Sequence, residues 1–131
     1  MRSFHNKILR ANLTDGTVEV EEPGEVYLRH YMGGWNIIAD VLLKEVPQGV
    51  DPLGAENKVI FAPGVLCGLP IAGASRSAVG AKSPLTGAFG AAESGGGFGA
   101  WLKRAGFDAA IVEGASEEPV YLWIKDGKAE I

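Results

Sequence analysis

Cysteine is nearly absent from this chain of 131 residues. Cys67 stands alone, so no internal disulfide, no multi-cysteine zinc site and no cysteine-held iron–sulfur cluster can form from this chain by itself. A lone thiol fits a reducing compartment. A basic excess is also missing: twelve Lys and Arg face sixteen Asp and Glu, for a net charge of −4. The basic residues are scattered, which excludes the electrostatic footprint of a nucleic-acid binder. Long apolar runs are missing too. The longest uncharged stretch, Val59 to Ser75, is broken by Pro63 and Pro70 and is too short for a membrane span. The N-terminal MRSFHNKILRANL lacks the apolar segment of a secretory signal. These absences lead to the expectation of a soluble, cytoplasmic chain, and 47% hydrophobic residues supply the core of about one domain.

Glycine, by contrast, is abundant. The chain has nineteen, and twelve of them lie between Gly64 and Gly114. The stretch KSPLTGAFGAAESGGGFGAWLKRAGFDAAIVEG, residues 82–114, sets Gly95-Gly96-Gly97 between two strand-like runs. A single glycine there reads as a tight turn or bulge. Three in a row opening a helical segment point instead to backbone N–H groups brought close to a phosphate-bearing or nucleotide-like ligand.

The rest of the chain alternates strand and helix signals. Lys7 to Asn12 and Thr17 to Glu21 flank Leu13-Thr14-Asp15-Gly16, a D-G hairpin signal. Glu25 to Met32 predicts a short helix ended by Gly33-Gly34. Ile37, Ile38, Val41, Leu42 and Val46 then recur at three and four, the stripe of an amphipathic helix with Ile37, Val41 and Leu42 facing the core. Residues 47–57 read as loop, and Lys58 to Ala62 as a buried strand ended by Pro63-Gly64. Near the end, Val120 to Ile124, Lys125-Asp126-Gly127 and Lys128 to Ile131 repeat the hairpin signal. The repetition predicts two similar hairpin-plus-helix halves, the second of which stops with nothing to cover its apolar face.

From Val59 to Trp101 the only charged residues are Arg76, Lys82 and Glu93. In so apolar a stretch each is expected to have a specific partner, although Lys82 reads equally well as a solvated strand end. Arg76 follows a turn-like segment and precedes a strand, and its planar guanidinium suits bidentate phosphate contact. Two familiar phosphate motifs fail here. Gly80-Ala81-Lys82-Ser83 has an alanine between glycine and lysine, unlike a P-loop. Gly95 to Ala100 fits G-x-G-x-x-A, with Glu113 near the place of a ribose-binding acid, but only Ala100 to Ala105 is left for a helix, short of the roughly 30-residue crossover unit.

The succession KILRANLTDGTVEVEE, YMGGWNIIADVLLKEV, VDPLGAENKVIFAPGVLCG, AKSPLTG, ESGGGFGAWLKRAGFDAAIVEG and PVYLWIKDGKAEI resembles the N-terminal domain of the aldehyde ferredoxin oxidoreductase family across nearly the whole chain. The resemblance implies an α+β fold with antiparallel or mixed sheets, built from two similar halves, the second truncated at its C-terminus. Residues 1–131 would be a single, incomplete N-terminal pterin-binding domain. It further implies a tungsten- or molybdenum-bis-pterin cofactor with Mg²⁺ bridging its phosphates, bound through Arg76, Glu93, Ser94, Gly95 and Gly96. Glu93 stands where the family commonly has asparagine, and Cys67 where it has threonine. The family oxidises aldehydes to carboxylic acids and passes electrons through a [4Fe–4S] cluster to ferredoxin. The cluster and the substrate pocket lie in segments outside this chain, so the chain alone is expected to be inactive. Its partners would be the remainder of the enzyme, ferredoxin and a second copy of the full enzyme, with no nucleic acid or membrane. Two other readings remain, a non-catalytic module that binds pterin or a partner, and a nucleotide-binding enzyme using the Gly95 to Gly99 run.

Overall fold

The computed structural model describes residues 3–131. Its elements are β1 (Ile8–Asn12), β2 (Thr17–Glu21), α1 (Glu25–Tyr31), α2 (Trp35–Glu45), β3 (Lys58–Pro63), β4 (Ser77–Lys82), β5 (Phe89–Ser94), α3 (Phe98–Arg104), β6 (Ala109–Glu113), β7 (Trp123–Lys125) and β8 (Lys128–Glu130). Six strands form one mixed sheet in the order β2-β1-β6-β3-β4-β5, and β7 pairs with β8 in a separate two-stranded sheet. Four of the five pairings in the large sheet are antiparallel; only β1 and β6 run parallel. The fold is therefore α+β. Among the described residues no helix is long and apolar enough to cross a membrane.

Both D-G signals produce antiparallel hairpins. In the first, the Asn12 side-chain oxygen accepts hydrogen bonds from the Thr14 and Asp15 N–H groups, and Gly16 takes φ +65°, the left-handed conformation the turn needs. The second hairpin is shorter than its sequence suggests. Val120 to Leu122 lie outside the strand because no neighbouring strand pairs with them. Nor does this hairpin lack a covered face, since Leu122, Ile124 and Ala129 pack against Leu9, Leu102, Phe107 and Ala110.

The central strands are buried on both faces. Ile8, Ile60, Ala62, Ala78, Ala109 and Ile111 meet Ile37, Ile38, Val41 and Leu42 of α2 on one face, as the stripe on that helix predicts. Leu9, Phe61 and Ala110 meet Leu102, Phe107 and the second hairpin on the other. Gly33, between α1 and α2, forms a bridge with Gly64 after β3. A Cβ on Gly33 would collide with the Pro63 carbonyl oxygen, and its φ is +85°, so only glycine fits.

Charge is concentrated at the opposite end of the sheet from Pro63. Arg10 reaches Glu21 at 2.6 Å, Glu45 at 2.9 Å and Glu113 at 3.0 Å, and Lys58 also pairs with Glu113. Partial burial pushes the Glu113 carboxyl up, but Lys58 and then Arg10 outweigh it and hold the group below the usual carboxylate range. A folded pKa below the unfolded value of about 4.3 gives stabilisation that is complete above that pH and is lost as pH falls through the folded value. Denaturant unfolding followed from pH 7 to pH 3 should show stability falling below about pH 5, with a shallower fall in Glu113→Gln. An equally steep fall in that variant would place the acid sensitivity elsewhere.

Candidate functional site

The pairing of β4 with β5 sets Ser77 opposite Ser94 and Ala78 opposite Glu93. Arg76, just before β4, and Gly95, just after β5, therefore emerge side by side at the Pro63 end of the sheet. Ser75 Oγ lies 3.9 Å from where a Cβ would sit on Gly95. From Gly95 the chain turns through Gly96, at φ +86°, and Gly97, and enters α3 at Phe98. The N–H groups of Gly95, Gly96 and Gly97 have no hydrogen-bond partner among the described residues. Two hydroxyls hold the entry to this turn: Ser77 Oγ donates to the Ser94 carbonyl at 3.5 Å, and Ser94 Oγ to the Gly95 carbonyl at 2.9 Å.

Strand alternation divides the predicted residues between two faces. Ser94 shares a face with Ser77, Val79 and Ala92, whereas the Glu93 side chain shares the α2 face with Ala78. On the Ser94 face α3 touches the start of β4 but does not cover the rest of β4 and β5. It leaves a depression of about 180 Å³ lined by Phe61, Ser77, Ala78, Val79, Ala92, Glu93, Ser94 and Phe98. A shallower one of about 320 Å³ continues along Val59, Ala81 and Gly90. The floor is apolar and built from small residues, with Phe98 half exposed against Phe61 at 5.4 Å between ring centroids. A larger depression of about 370 Å³ lies away from this end, between the C-terminus of α2 and the β4–β5 hairpin.

Thus Arg76, Ser94, Gly95 and Gly96 meet at one sheet end, while Glu93, which borders the same depression, has its side chain on the α2 face by strand alternation. The expectation that every charge in this stretch has a partner holds only for Lys82. Its ammonium donates to the Val50 carbonyl at 2.7 Å and is partly buried, so it is not a solvated strand end. Arg76 and Glu93 are exposed and have no side-chain hydrogen bond or ion pair among the described residues. Water compensates them, which is why no partner is required. Nor do nearby cations take up Glu93. Lys103 is buried and donates to Asp108 at 2.5 Å and to the Ser3 carbonyl at 2.6 Å, and Arg104 stacks on Trp101 at 4.7 Å.

Glu113 does not serve the glycine turn. It pairs in register with Lys58 at the far end of β3, roughly 20 Å away for a six-residue strand, and its carboxylate is held by Lys58 and Arg10. This removes the geometry that a ribose-binding acid beside the glycine run would need. The sequence reading missed Ser77 and the aromatic pair Phe61 and Phe98. Ser77 follows Arg76 and Phe98 follows the glycine run, which was the only local signal for those two, and nothing local singles out Phe61.

Comparison with known proteins follows the same outline. Residues 8–131 match the family model described as aldehyde ferredoxin oxidoreductase, N-terminal domain. The tungsten-containing aldehyde ferredoxin oxidoreductase of Thermococcus kodakarensis is 49% identical over 125 residues, covering 95% of this chain and 21% of that protein. The protein of the same description from Pyrococcus abyssi is 47% identical over 131 residues, covering all of this chain and 22% of that one. An aliphatic sulfonate oxidoreductase, WOR-like subunit, of Pyrococcus furiosus is 34% identical over 134 residues, again over the whole chain and 21% of the relative. Among solved structures, the active site complex BamBC of benzoyl coenzyme A reductase with 1,5-dienoyl-CoA superposes with a TM-score of 0.94 at 36% identity. It covers 98% of this chain and 20% of that one. The chain thus spans about a fifth of the length of the curated relatives it matches.

Proposed function

The chain belongs to the aldehyde ferredoxin oxidoreductase family, and on that premise we propose that it is the N-terminal domain on which the tungsten-pterin cofactor of such an enzyme rests. The observation that carries this reading is that the β4–β5 register sets Arg76, whose guanidinium has no partner among the described residues, next to the glycine turn, whose three N–H groups have none among them either, at the end of an open floor of small apolar residues. An exposed cation next to free N–H donors suits phosphate oxygens, and a flat apolar floor suits a fused ring. The residues present therefore fit the group that the family implies.

Arg76 would hold a phosphate of the cofactor by a two-pronged hydrogen bond. Gly95 and Gly96 would offer main-chain N–H groups, and Ser94 would keep the turn in place. When bound, the tungsten-pterin group supplies the two-electron oxidation of an aldehyde to a carboxylic acid. This chain's part is to hold and orient that group. Relatives named for an aldehyde ferredoxin oxidoreductase, a sulfonate oxidoreductase and a benzoyl-CoA reductase share this domain. That supports a cofactor-holding role common to all, with substrate choice made by other segments. One cysteine, buried, cannot ligate a [4Fe–4S] cluster alone. The cluster that would pass electrons to ferredoxin draws its cysteines from those other segments, in a cytoplasmic enzyme.

The cofactor contact assigned to Glu93 runs through its main chain. A carboxylate 4 Å from a phosphate would be repelled by about 4 kcal/mol at an effective dielectric near 20 unless a cation such as Mg²⁺ lay between them. The face that Glu93 shares with Ala78 turns the carboxylate away from Ser94 and supports the main-chain arrangement.

In the full-length enzyme, Arg76→Ala is expected to weaken cofactor retention by about 10–100-fold, the worth of a charged hydrogen bond of about 1.5–3 kcal/mol. Because Arg76 is exposed, its melting should change little. Arg76→Lys should recover only part, since the fork geometry is gone. Tungsten content measured by mass spectrometry decides; a fully loaded alanine variant would remove Arg76 from the site. Glu93→Ala should keep its tungsten at any Mg²⁺ concentration, and a magnesium-dependent loss would make the carboxylate a ligand after all.

A further inference from the structure

Gly99 has no room for a side chain. A Cβ built there would lie 2.8 Å from Ser77 Cβ, 3.2 Å from Ser77 Oγ and 2.9 Å from Cys67 Sγ. Carbon atoms in contact settle at about 3.5–4.0 Å, so one methyl group would force this contact open by on the order of 1 Å. Both residues it meets belong to the approach to Arg76. Ser77 is the next residue. Cys67 is buried in the loop 64–76, whose ends are tied by hydrogen bonds from Gly64 N–H to the Arg76 carbonyl at 3.0 Å and from Gly68 N–H to the Ala74 carbonyl at 3.3 Å.

On the other side of the contact, Gly99 lies two residues after Gly97, in the first turn of α3. Tight packing therefore links the glycine turn to the arginine segment directly at Gly99. The helix is also fixed further along. Lys103, one turn on, is 6% exposed and donates to Asp108 and to the Ser3 carbonyl. Asp108, 2% exposed, also accepts from the His5 and Lys7 N–H groups. With its last turn held by a buried ion pair, α3 would answer a new side chain at residue 99 by tilting its first turn, and the glycine turn would move with it.

We propose that Gly99 is a positioning residue that sets the spacing between Arg76 and the Gly95–Gly96 turn, and with it the span over which the two engage the cofactor's phosphates. This rests on the cofactor-holding reading above. Sites of this kind tolerate about 0.5 Å of misplacement, less than a methyl at residue 99 would impose.

The test is a double-mutant cycle in the full-length enzyme produced with tungstate, reading tungsten per folded protomer by mass spectrometry and folding by circular dichroism. In the native background, Gly99→Ala is expected to fold and to hold about a tenth or less of the wild-type tungsten. A background carrying Ser77→Gly and Cys67→Ala removes the atoms in the way and, with the hydrogen bond from Ser77 to Ser94 gone, is itself expected to hold part of the wild-type tungsten; measured against that background, the same change should alter tungsten content less than twofold. A packing role alone would lower the melting temperature and leave the tungsten content of the folded fraction unchanged in both backgrounds. That result, or an equal loss in both, would overturn the proposal. If Gly99→Ala fails to fold, Ser77→Thr adds one methyl to the other side of the same contact. It should fold and lose tungsten severalfold, and full loading would overturn the proposal. Wild-type enzyme without tungsten would instead refute the cofactor reading and this inference with it, whereas loaded wild-type and equally loaded Gly99→Ala would refute the positioning role alone.

Discussion

The register of β4 against β5 is the constraint on which the rest of the site depends. Because side chains alternate along a strand, a slip of one residue would exchange the two faces. Ser94 would then turn toward α2, and Glu93 would face the apolar floor. As it stands, Ser77 opposite Ser94 puts Arg76 and the glycine turn at the same sheet end and the Glu93 carboxylate on the other face. Core burial enforces this register. Ala78 must meet α2, and Gly80 admits Ile38 so closely that a Cβ there would lie 2.5 Å from Ile38 Cγ2. A shifted strand would offer neither.

The charges divide according to position. At the Glu113 end, Arg10 and Lys58 are bound to three carboxylates, and beneath α3 Lys103 and Asp108 form a buried pair. Breaking a buried pair by removing one partner costs about 3–5 kcal/mol, although a matched apolar pair would serve stability as well. Such pairs are better understood as fixing where elements sit. Arg76 and Glu93 do the opposite: both are exposed and neither has a partner among the described residues. Charge satisfied only by water at the rim of a small-residue floor is available for a ligand without first breaking a protein contact.

How much of this the sequence revealed follows from the range of each interaction. The hairpin at Leu13 to Gly16, the α2 stripe and the glycine turn are local, so their residues announce them. The parallel pairing of β1 with β6 joins segments about a hundred residues apart, and no local pattern specifies it. Nothing local marks Lys103 as buried; its Asp108 partner becomes buried only through packing, and the Ser3 carbonyl comes from the other end of the chain. Arg76 and Gly95 were legible as candidates from their chemistry. The face taken by Glu93 was not, since it depends on a register fixed by Ala78 and Ile38. Gly99 was visible only as one more glycine in a run; its role comes from Ser77 and Cys67, distant in sequence and close in space.

The central claim is that the cofactor's phosphates lie where Arg76 meets the glycine turn, on the Ser94 face of β4 and β5. Anomalous diffraction at a tungsten absorption edge from crystals of the full-length enzyme locates the metal, and the accompanying density locates the pterin. The account predicts a phosphate group within hydrogen-bonding distance of the Arg76 guanidinium and of the Gly95 or Gly96 N–H, with the ring system over Val79 and Ala92. A pterin seated on the α2 face, or one whose phosphates contact neither Arg76 nor the glycine turn, would contradict it.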